Sequence, residues 1–196
     1  MLEVFKMGQA RTINEKQAKT LFSFIGTQRN ATRNKAMFAL SYYSGLRAKE
    51  IASLTIGDVL KANQSIKDVV YLNAEQTKGS KGREFYINAS AKQHISTLIK
   101  SMRNVEPSFP LLQVMGRRKA FSANSLAIAL RNIYLSAGFE NCSSHTGRRS
   151  SISQLANKGV GIRIIQKFSG HRQLQSVQNY LDANEEMVKN AAELVH

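Results

Sequence analysis

The chain has 196 residues, 42% of them hydrophobic and only two of them proline, which fits one folded domain with a real core and excludes a disordered chain. Lys and Arg number 28 against 13 Asp and Glu, a formal net charge of +15, and that imbalance points to a polyanionic partner, most simply nucleic acid. The one cysteine, Cys142, excludes an internal disulfide and a cysteine-cluster metal site and fits a reducing cytoplasm. No run of about 18 apolar residues asks for a membrane span, and residues 1–6 lack the apolar stretch of a secretion signal.

The charge is unevenly spread. Residues 107–181 carry ten Lys and Arg and a single acid, Glu140. After Leu181 the balance reverses, with Asp182, Glu185, Glu186 and Glu193 against Lys189. An acidic tail does not suit nucleic-acid contact; it suits packing on a basic surface, its own or a neighbouring subunit's.

In chain order, residues 1–11 are an N-terminal extension. Residues 14–25 follow with Ala18, Leu21, Phe22 and Ile25 at helical spacing and Asn14 or Thr12 as the cap. A second helix covers about 32–44 and stops at Gly45, a residue suited to the end of a helix. Arg47 comes next, on a tight corner leading into a short helix over 48–54. The period then changes, and residues 68–72 and 84–88 read as strands. Between them residues 77–83, Thr-Lys-Gly-Ser-Lys-Gly-Arg, form a basic turn punctuated by glycine. That turn reads either as a solvated hairpin tip or as a lysine-bearing loop able to reach a phosphate or a minor groove. Ser90 caps a helix to about 102; residues 107–119 form a loop ending in the cluster Arg117, Arg118 and Lys119. Helices follow over 124–137 (ended by Gly138), 145–158 and 161–168, then a short helix carrying Tyr180 and an amphipathic tail helix over 185–195. The fold class is α+β, mainly α, with a small antiparallel sheet inserted between helices.

Taken one at a time, the reactive residues are ordinary. His145 reads as a surface residue near a helix start, His171 as a neighbour of a helix end, and Tyr180 as a half-buried packing residue. Yet His145 and Arg148, three apart at a helix start, share one face, where free N–H groups and the helix dipole favour an anion. Arginine grips phosphate through a planar, permanently charged fork. Histidine moves protons near neutral pH, and a tyrosine hydroxyl can form a covalent ester with phosphorus.

Together these residues resemble the tyrosine recombinases, or phage integrases. The resemblance runs from about residue 12 to 181 and rests on boxes in one order: Gly45-Leu46-Arg47-Ala48-Lys49-Glu50, then Thr77-Lys78-Gly79, His145-Thr146-Gly147-Arg148, Ser169-Gly170-His171, and Tyr180 nine residues after His171. It implies the recombinase catalytic-domain fold over 12–184 and cleavage and rejoining of double-stranded DNA through a 3′-phosphotyrosyl intermediate. By that resemblance Arg47 and Arg148 clamp the phosphate, with Glu50 supporting Arg47. His145 and His171 hydrogen-bond the phosphate and help move the tyrosine proton. Lys78 protonates the leaving 5′ oxygen, with Lys81 as the fallback, and Tyr180 is the nucleophile. Lys49, Lys81, Arg83, Arg117, Arg118, Lys119, Arg149 and Arg172 are the candidate DNA contacts. The resemblance implies no cofactor: bond energy is kept in the phosphotyrosine, so rejoining needs no ATP, and the sequence shows no acid cluster suited to a metal.

The family pattern is not matched everywhere. Gly147 and Ser169 stand where leucine is usual, and both read as packing positions. The family's separate N-terminal DNA-binding domain has no counterpart here, so the chain reads as a naturally short recombinase of the invertase kind, an excised catalytic domain, or one that relies on partner proteins. The resemblance further implies a monomer when free, a homotetramer on paired DNA sites with the 185–195 tail docked on a neighbour, help from accessory DNA-bending proteins, and a cytoplasmic, nucleoid-associated location. Two other readings stand beside it. One is a type IB topoisomerase; the other is a non-cleaving DNA-binding regulator with a helix-turn-helix over 150–180.

Overall fold

The structure is a computed structural model in which residues 10–77, 81–114, 118–178, 180 and 192–193 are described. The first helix, α1 (Glu15–Gly26), opens on a capping box: Asn14 accepts from the Gln17 backbone N–H at 2.9 Å, and the Gln17 side chain accepts from the Asn14 N–H at 3.0 Å. Of the two expected caps it is Asn14 that acts, and the helix buries Ala18, Leu21 and Ile25 on one face.

Helix α2 (Ala31–Tyr42) is the centre of the domain. Its residues from Ala36 to Tyr42 are all buried, so it lacks the one-sided pattern of a surface helix. Helices α1, α5 (Ala89–Lys100) and α7 (Thr146–Asn157) pack around it, and α6 (Ala123–Ser136) packs on α3 (Ala48–Ala52). Helix α5 is capped by Asn88 and not by Ser90: the Asn88 side chain accepts from the Ala91 N–H at 2.9 Å. A one-turn helix, α4 (Ile56–Val59), capped by Thr55, was not foreseen; four residues carry too little periodicity to read.

Strands β1 (Val69–Leu72) and β2 (Arg83–Tyr86) pair antiparallel with Val70 opposite Phe85 and Leu72 opposite Arg83. Alternation sends Val70, Leu72 and Phe85 into the core and leaves Val69 and Tyr71 facing out. The short helices α8 (Ile162–Ser169) and α9 (Gln175–Gln178) complete the described chain, with α8 lying against both α7 and β2. Tyr180 is not carried by a helix. It follows α9 in a turn, held by its N–H donating to the Val177 carbonyl at 2.9 Å. The tail helix expected over 185–195 falls outside the described residues apart from Ala192 and Glu193. Among the described residues no helix is long and apolar enough to cross a membrane.

The buried apolar residues fall into two clusters. The larger spans α1 to α6 and the sheet; the smaller holds Ile152, Ala156, Ile165 and Val177, with Tyr180 packed on it. Helix α7 separates them, and its inner face is polar: Thr146, Arg148, Ser150 and Ser151 are all buried. The serines are satisfied at close quarters. Ser150 Oγ donates to the Thr146 carbonyl at 2.7 Å and accepts from the Ile13 N–H at 2.9 Å, and Ser151 Oγ donates to the carbonyls of Gly147 and Tyr42. A hydroxyl folded back on its own helix lets that helix lie tight against a neighbour without leaving an unpaired polar group.

Gly147 makes the α2–α7 contact possible. A Cβ there would sit 2.6 Å from Ser41 Oγ, 3.1 Å from Ser41 Cβ and 3.2 Å from the Tyr134 hydroxyl oxygen. A Gly→Ala change in a helix ordinarily stabilises by up to about 1 kcal/mol. At Gly147 the sign reverses: urea unfolding of Gly147→Ala should show a loss of about 1–3 kcal/mol from overpacking, and an unchanged or raised midpoint would contradict this packing.

Candidate active site

The site grows from one buried carboxylate. Glu50, on α3, is fully buried and accepts four hydrogen bonds. Its Oε2 takes the Arg47 backbone N–H at 2.8 Å and Arg83 Nη2 at 2.8 Å; its Oε1 takes Arg47 Nη1 at 3.1 Å and Arg83 Nε at 3.0 Å. Burial alone pushes the Glu50 pKa up, but the bonds and charges of Arg83 and then Arg47 outweigh it, and the carboxyl ends below its usual range. The two arginines differ in what they have left over. Arg47 keeps 25% of its side chain exposed and reaches the Gly170 carbonyl at 3.5 Å with Nη2. Arg83, expected as a DNA contact, is 13% exposed and is held side-on by Glu50.

Arg148 enters from α7, buried, with Nη1 donating to the Gly45 carbonyl at 2.5 Å and Nη2 lying 3.2 Å from His171 Nε2. Burial, followed by the positive charge of Arg47, brings its pKa down to about 9 while Glu50 holds it up. Glycine is required at both corners that frame it. Gly45 (φ 62°) would place a Cβ 2.8 Å from the Phe168 ring, and Gly170 (φ 63°) would place one 2.5 Å from Arg83 Cδ. Gly170 ends α8 and turns the chain so that His171 points back at Arg148. Burial, then Arg148, Arg47 and Arg83, push the His171 pKa down to about 4, so the ring is neutral at pH 7. Ser169, read from sequence as a packing position, is instead a polar neighbour of that ring: its Oγ lies 2.7 Å from His171 Nδ1.

Beside these groups lies a cavity of about 690 Å³, whose wall includes Arg47, Glu50, Arg83, Gly170 and His171 but not Arg148. Lys81 and Arg172, candidate DNA contacts from the sequence, stand on its wall, and so do Arg163 and Lys167, which the sequence reading did not single out. Their spacing on α8 was visible in the sequence, but which helix face meets the cavity was not. Lys78, the first choice for a proton donor, lies outside the described residues, as does Arg117. The loop that carries Lys78 is anchored at Thr77, whose carbonyl accepts Lys49 Nζ at 2.8 Å and whose hydroxyl donates to the Lys81 carbonyl at 2.9 Å. Lys49 is thus engaged in holding the hairpin. Arg118 lies at a separate cavity, stacked over the Phe109 ring at 5.1 Å, and Lys119 bonds through its carbonyl to the Val114 N–H at 2.9 Å.

Tyr180 reaches this cluster from the smaller core. Its ring centroid is 6.0 Å from that of His171, and the Arg149 guanidinium sits over its face at 5.1 Å. Its proximity is also felt by Arg148, whose ionisation it influences. His145 is exposed at the N-cap of α7, one residue before the helix and one turn ahead of Arg148.

Arg47 and His171 thus face a basic cavity of a mainly helical domain, with Arg148 and Tyr180 next to His171. The profile of the Phage integrase family matches residues 11–187, and the chain belongs to that family. It is 31% identical over 170 residues to the tyrosine recombinase XerD of Rickettsia prowazekii (strain Madrid E), covering 81% of this chain and 54% of that one. Its fold is shared with the crystal structure of XerA recombinase (TM-score 0.74, 21% identity, covering 93% of this chain and 64% of that one). It is shared also with the Tn1549 transposon integrase in complex with a circular intermediate DNA (TM-score 0.75, 16% identity, 96% and 67% covered). The chain spans little more than half the length of the curated relatives it matches.

Because Glu50 has a depressed pKa in the folded state, its ion pairs add stability above the unfolded value of about 4.3, and that stability is lost as pH falls through the lower folded value. Glu50→Gln removes the charge that pairs Arg47 with Arg83 and should cost about 3–5 kcal/mol in chemical denaturation at pH 7. The variant should also lose less stability than the parent between about pH 4.3 and the acid limb; parallel pH profiles would rule the assignment out.

Proposed function

We propose that this chain is the catalytic domain of a site-specific DNA recombinase, which cuts and rejoins DNA through a 3′-phosphotyrosyl intermediate. The observation that carries the reading is the meeting of Arg47 and His171 on one cavity, with Arg148 3.2 Å from His171 and Tyr180 beside it. Attack by the Tyr180 oxygen on a DNA phosphorus builds negative charge on the two non-bridging oxygens. Arg47 and Arg148 are fixed beforehand, one by Glu50 and one by the Gly45 carbonyl, so they stabilise that charge without reorganising. Neutral His171 and the exposed His145 bond the phosphate and help carry the tyrosine proton. Lys78, or failing it Lys81, gives a proton to the departing 5′ oxygen. One ester replaces another, so rejoining is the same reaction reversed and needs no ATP.

Duplex DNA fits the rest of the surface. Lys81, Arg163, Lys167 and Arg172 ring the cavity and offer contacts to flanking phosphates. Arg149, over Tyr180, helps set the nucleophile as well as the local charge. The molecule acts in the cytoplasm on a pair of DNA sites as a tetramer of chains that are monomeric when free, with the 185–195 tail docking on a neighbour.

On a nicked suicide substrate, Tyr180→Phe should abolish the covalent protein–DNA adduct seen on a denaturing gel while leaving binding intact. Arg148→Ala should slow adduct formation by about 100-fold or more. Lys78→Ala should slow it more than Lys81→Ala, and the effect should vanish on a substrate with a better 5′ leaving group; equal effects would leave Lys78 without its role. Relaxation of a plasmid lacking any recombination site would identify a topoisomerase, and sequence-specific binding without any adduct a regulator.

Truncation after residue 184 should spare adduct formation on a single site and weaken pairing of two sites in a gel-shift assay. Undiminished recombination would remove the tail from the proposal.

A further inference from the structure

The turn joining β1 to β2 is tied to α3 from both sides. On the β1 side, Gln76 Nε2 donates to the Ser53 carbonyl at 3.2 Å, and Lys49 Nζ donates to the Thr77 carbonyl at 2.8 Å. On the β2 side, the Arg83 guanidinium grips both oxygens of Glu50, at 3.0 and 2.8 Å. The Thr77 hydroxyl draws the two sides together, donating to the Lys81 carbonyl at 2.9 Å. Thr77 is buried, so water competes little for that bond. Residues 49, 50 and 53 thus hold residues 77, 83 and 76, and Arg47 caps the start of the same helix. Thr77, Lys81 and Arg83 line the cavity together with Arg47, whereas Lys49 is not on its wall.

We infer that Lys49 is a positioning residue: through Thr77 it fixes the lysine-bearing turn against α3, so that the proton donor and the phosphate-binding Arg47 share one support. The inference rests on the proposed recombinase reading for its chemistry, though not for its geometry. In that reaction the Tyr180 ester forms as the bond from phosphorus to the 5′ oxygen breaks, and the departing oxygen takes a proton from a lysine of the turn. A reacting group misplaced by roughly 1 Å can lose much of its effect. Lys78 follows Thr77 directly in the chain, and Lys81 is bonded to it, so the same anchor governs either lysine. From sequence Lys49 reads as a DNA contact, and the two roles differ in one measurable respect. A lost DNA contact slows every substrate alike, whereas a displaced proton donor slows only a leaving group that needs a proton.

The test compares the parent chain with Lys49→Met, which keeps the stem and loses the donor, on two nicked duplexes. One carries the ordinary 5′ oxygen at the cleaved bond; the other carries sulfur in its place, and a thiolate departs without a proton. On the oxygen duplex Lys49→Met should form the Tyr180 adduct about tenfold more slowly, the size of one hydrogen bond to a charged group. On the sulfur duplex it should match the parent, with unchanged DNA affinity on both. Lys49→Arg, which keeps a donor, should recover most of the loss. Without DNA, hydrogen exchange over residues 73–84 should quicken in Lys49→Met and stay unchanged elsewhere. Equal slowing on the two duplexes, or slowing that tracks weaker DNA binding, overturns the inference and returns Lys49 to a DNA contact; exchange indifferent to Lys49→Met overturns it as well. A parent that forms no adduct on either duplex overturns the recombinase reading, while quickened exchange in Lys49→Met leaves the anchoring of the turn by Lys49 standing.

Discussion

The fully buried carboxylate of Glu50 holds the site together. Three parts of the chain that are distant in sequence meet around it: the turn after α2 that carries Arg47, strand β2 that carries Arg83, and, through Arg47 and Gly170, the end of α8. A buried charge is costly unless its lone pairs are filled, and four donors fill them here. The same bonds that make Glu50 tolerable in the core fix the direction of Arg47, so the fold and the site share one interaction. The part of Arg47 that remains exposed faces the cavity.

Arg148 presents the complementary problem. It is an arginine facing inward on a helix between two apolar clusters. Among the described residues its guanidinium has no direct carboxylate partner; it donates to the Gly45 carbonyl and lies against His171 Nε2. A cation solvated by neutral dipoles, next to other cations, favours an incoming anion strongly. Burial first, and then the neighbouring positive charges, lower the pKa values of Arg148 and His171. The small cluster under α7, α8 and α9 serves to bring Tyr180 to that spot, since Tyr180 packs on Ile152, Ala156, Ile165 and Val177 from the other side.

Two residues that depart from the family pattern are accommodated in different ways. Gly147 leaves space that Ser41 and the Tyr134 hydroxyl occupy, which lets α7 lie close on α2. Ser169 brings a hydroxyl within 2.7 Å of Nδ1 of the histidine two residues on. Neither outcome was readable from residue type, because a small side chain in a helix looks the same whether it makes room or makes a bond.

Much of the molecule was determined by local chemistry and so was legible in the chain alone. The apolar spacing of α1 and α6, the glycine stops after α2 and α8, the alternation in β1 and β2 and the order of the arginine, histidine and tyrosine boxes are short-range facts. Helix α7 was the exception that only its motif revealed, for its inner face is threonine, glycine, arginine and serine rather than an apolar stripe. Tertiary structure decided what pairs with what. Arg83 turned from surface cation to the partner of Glu50, Lys49 became the anchor of the hairpin, Arg118 went to a different cavity, and Arg163 and Lys167 joined the site. The reason is physical: sequence spacing sets which side of a helix or strand a residue occupies, whereas a charge finds its partner only when remote elements close over it and water is removed.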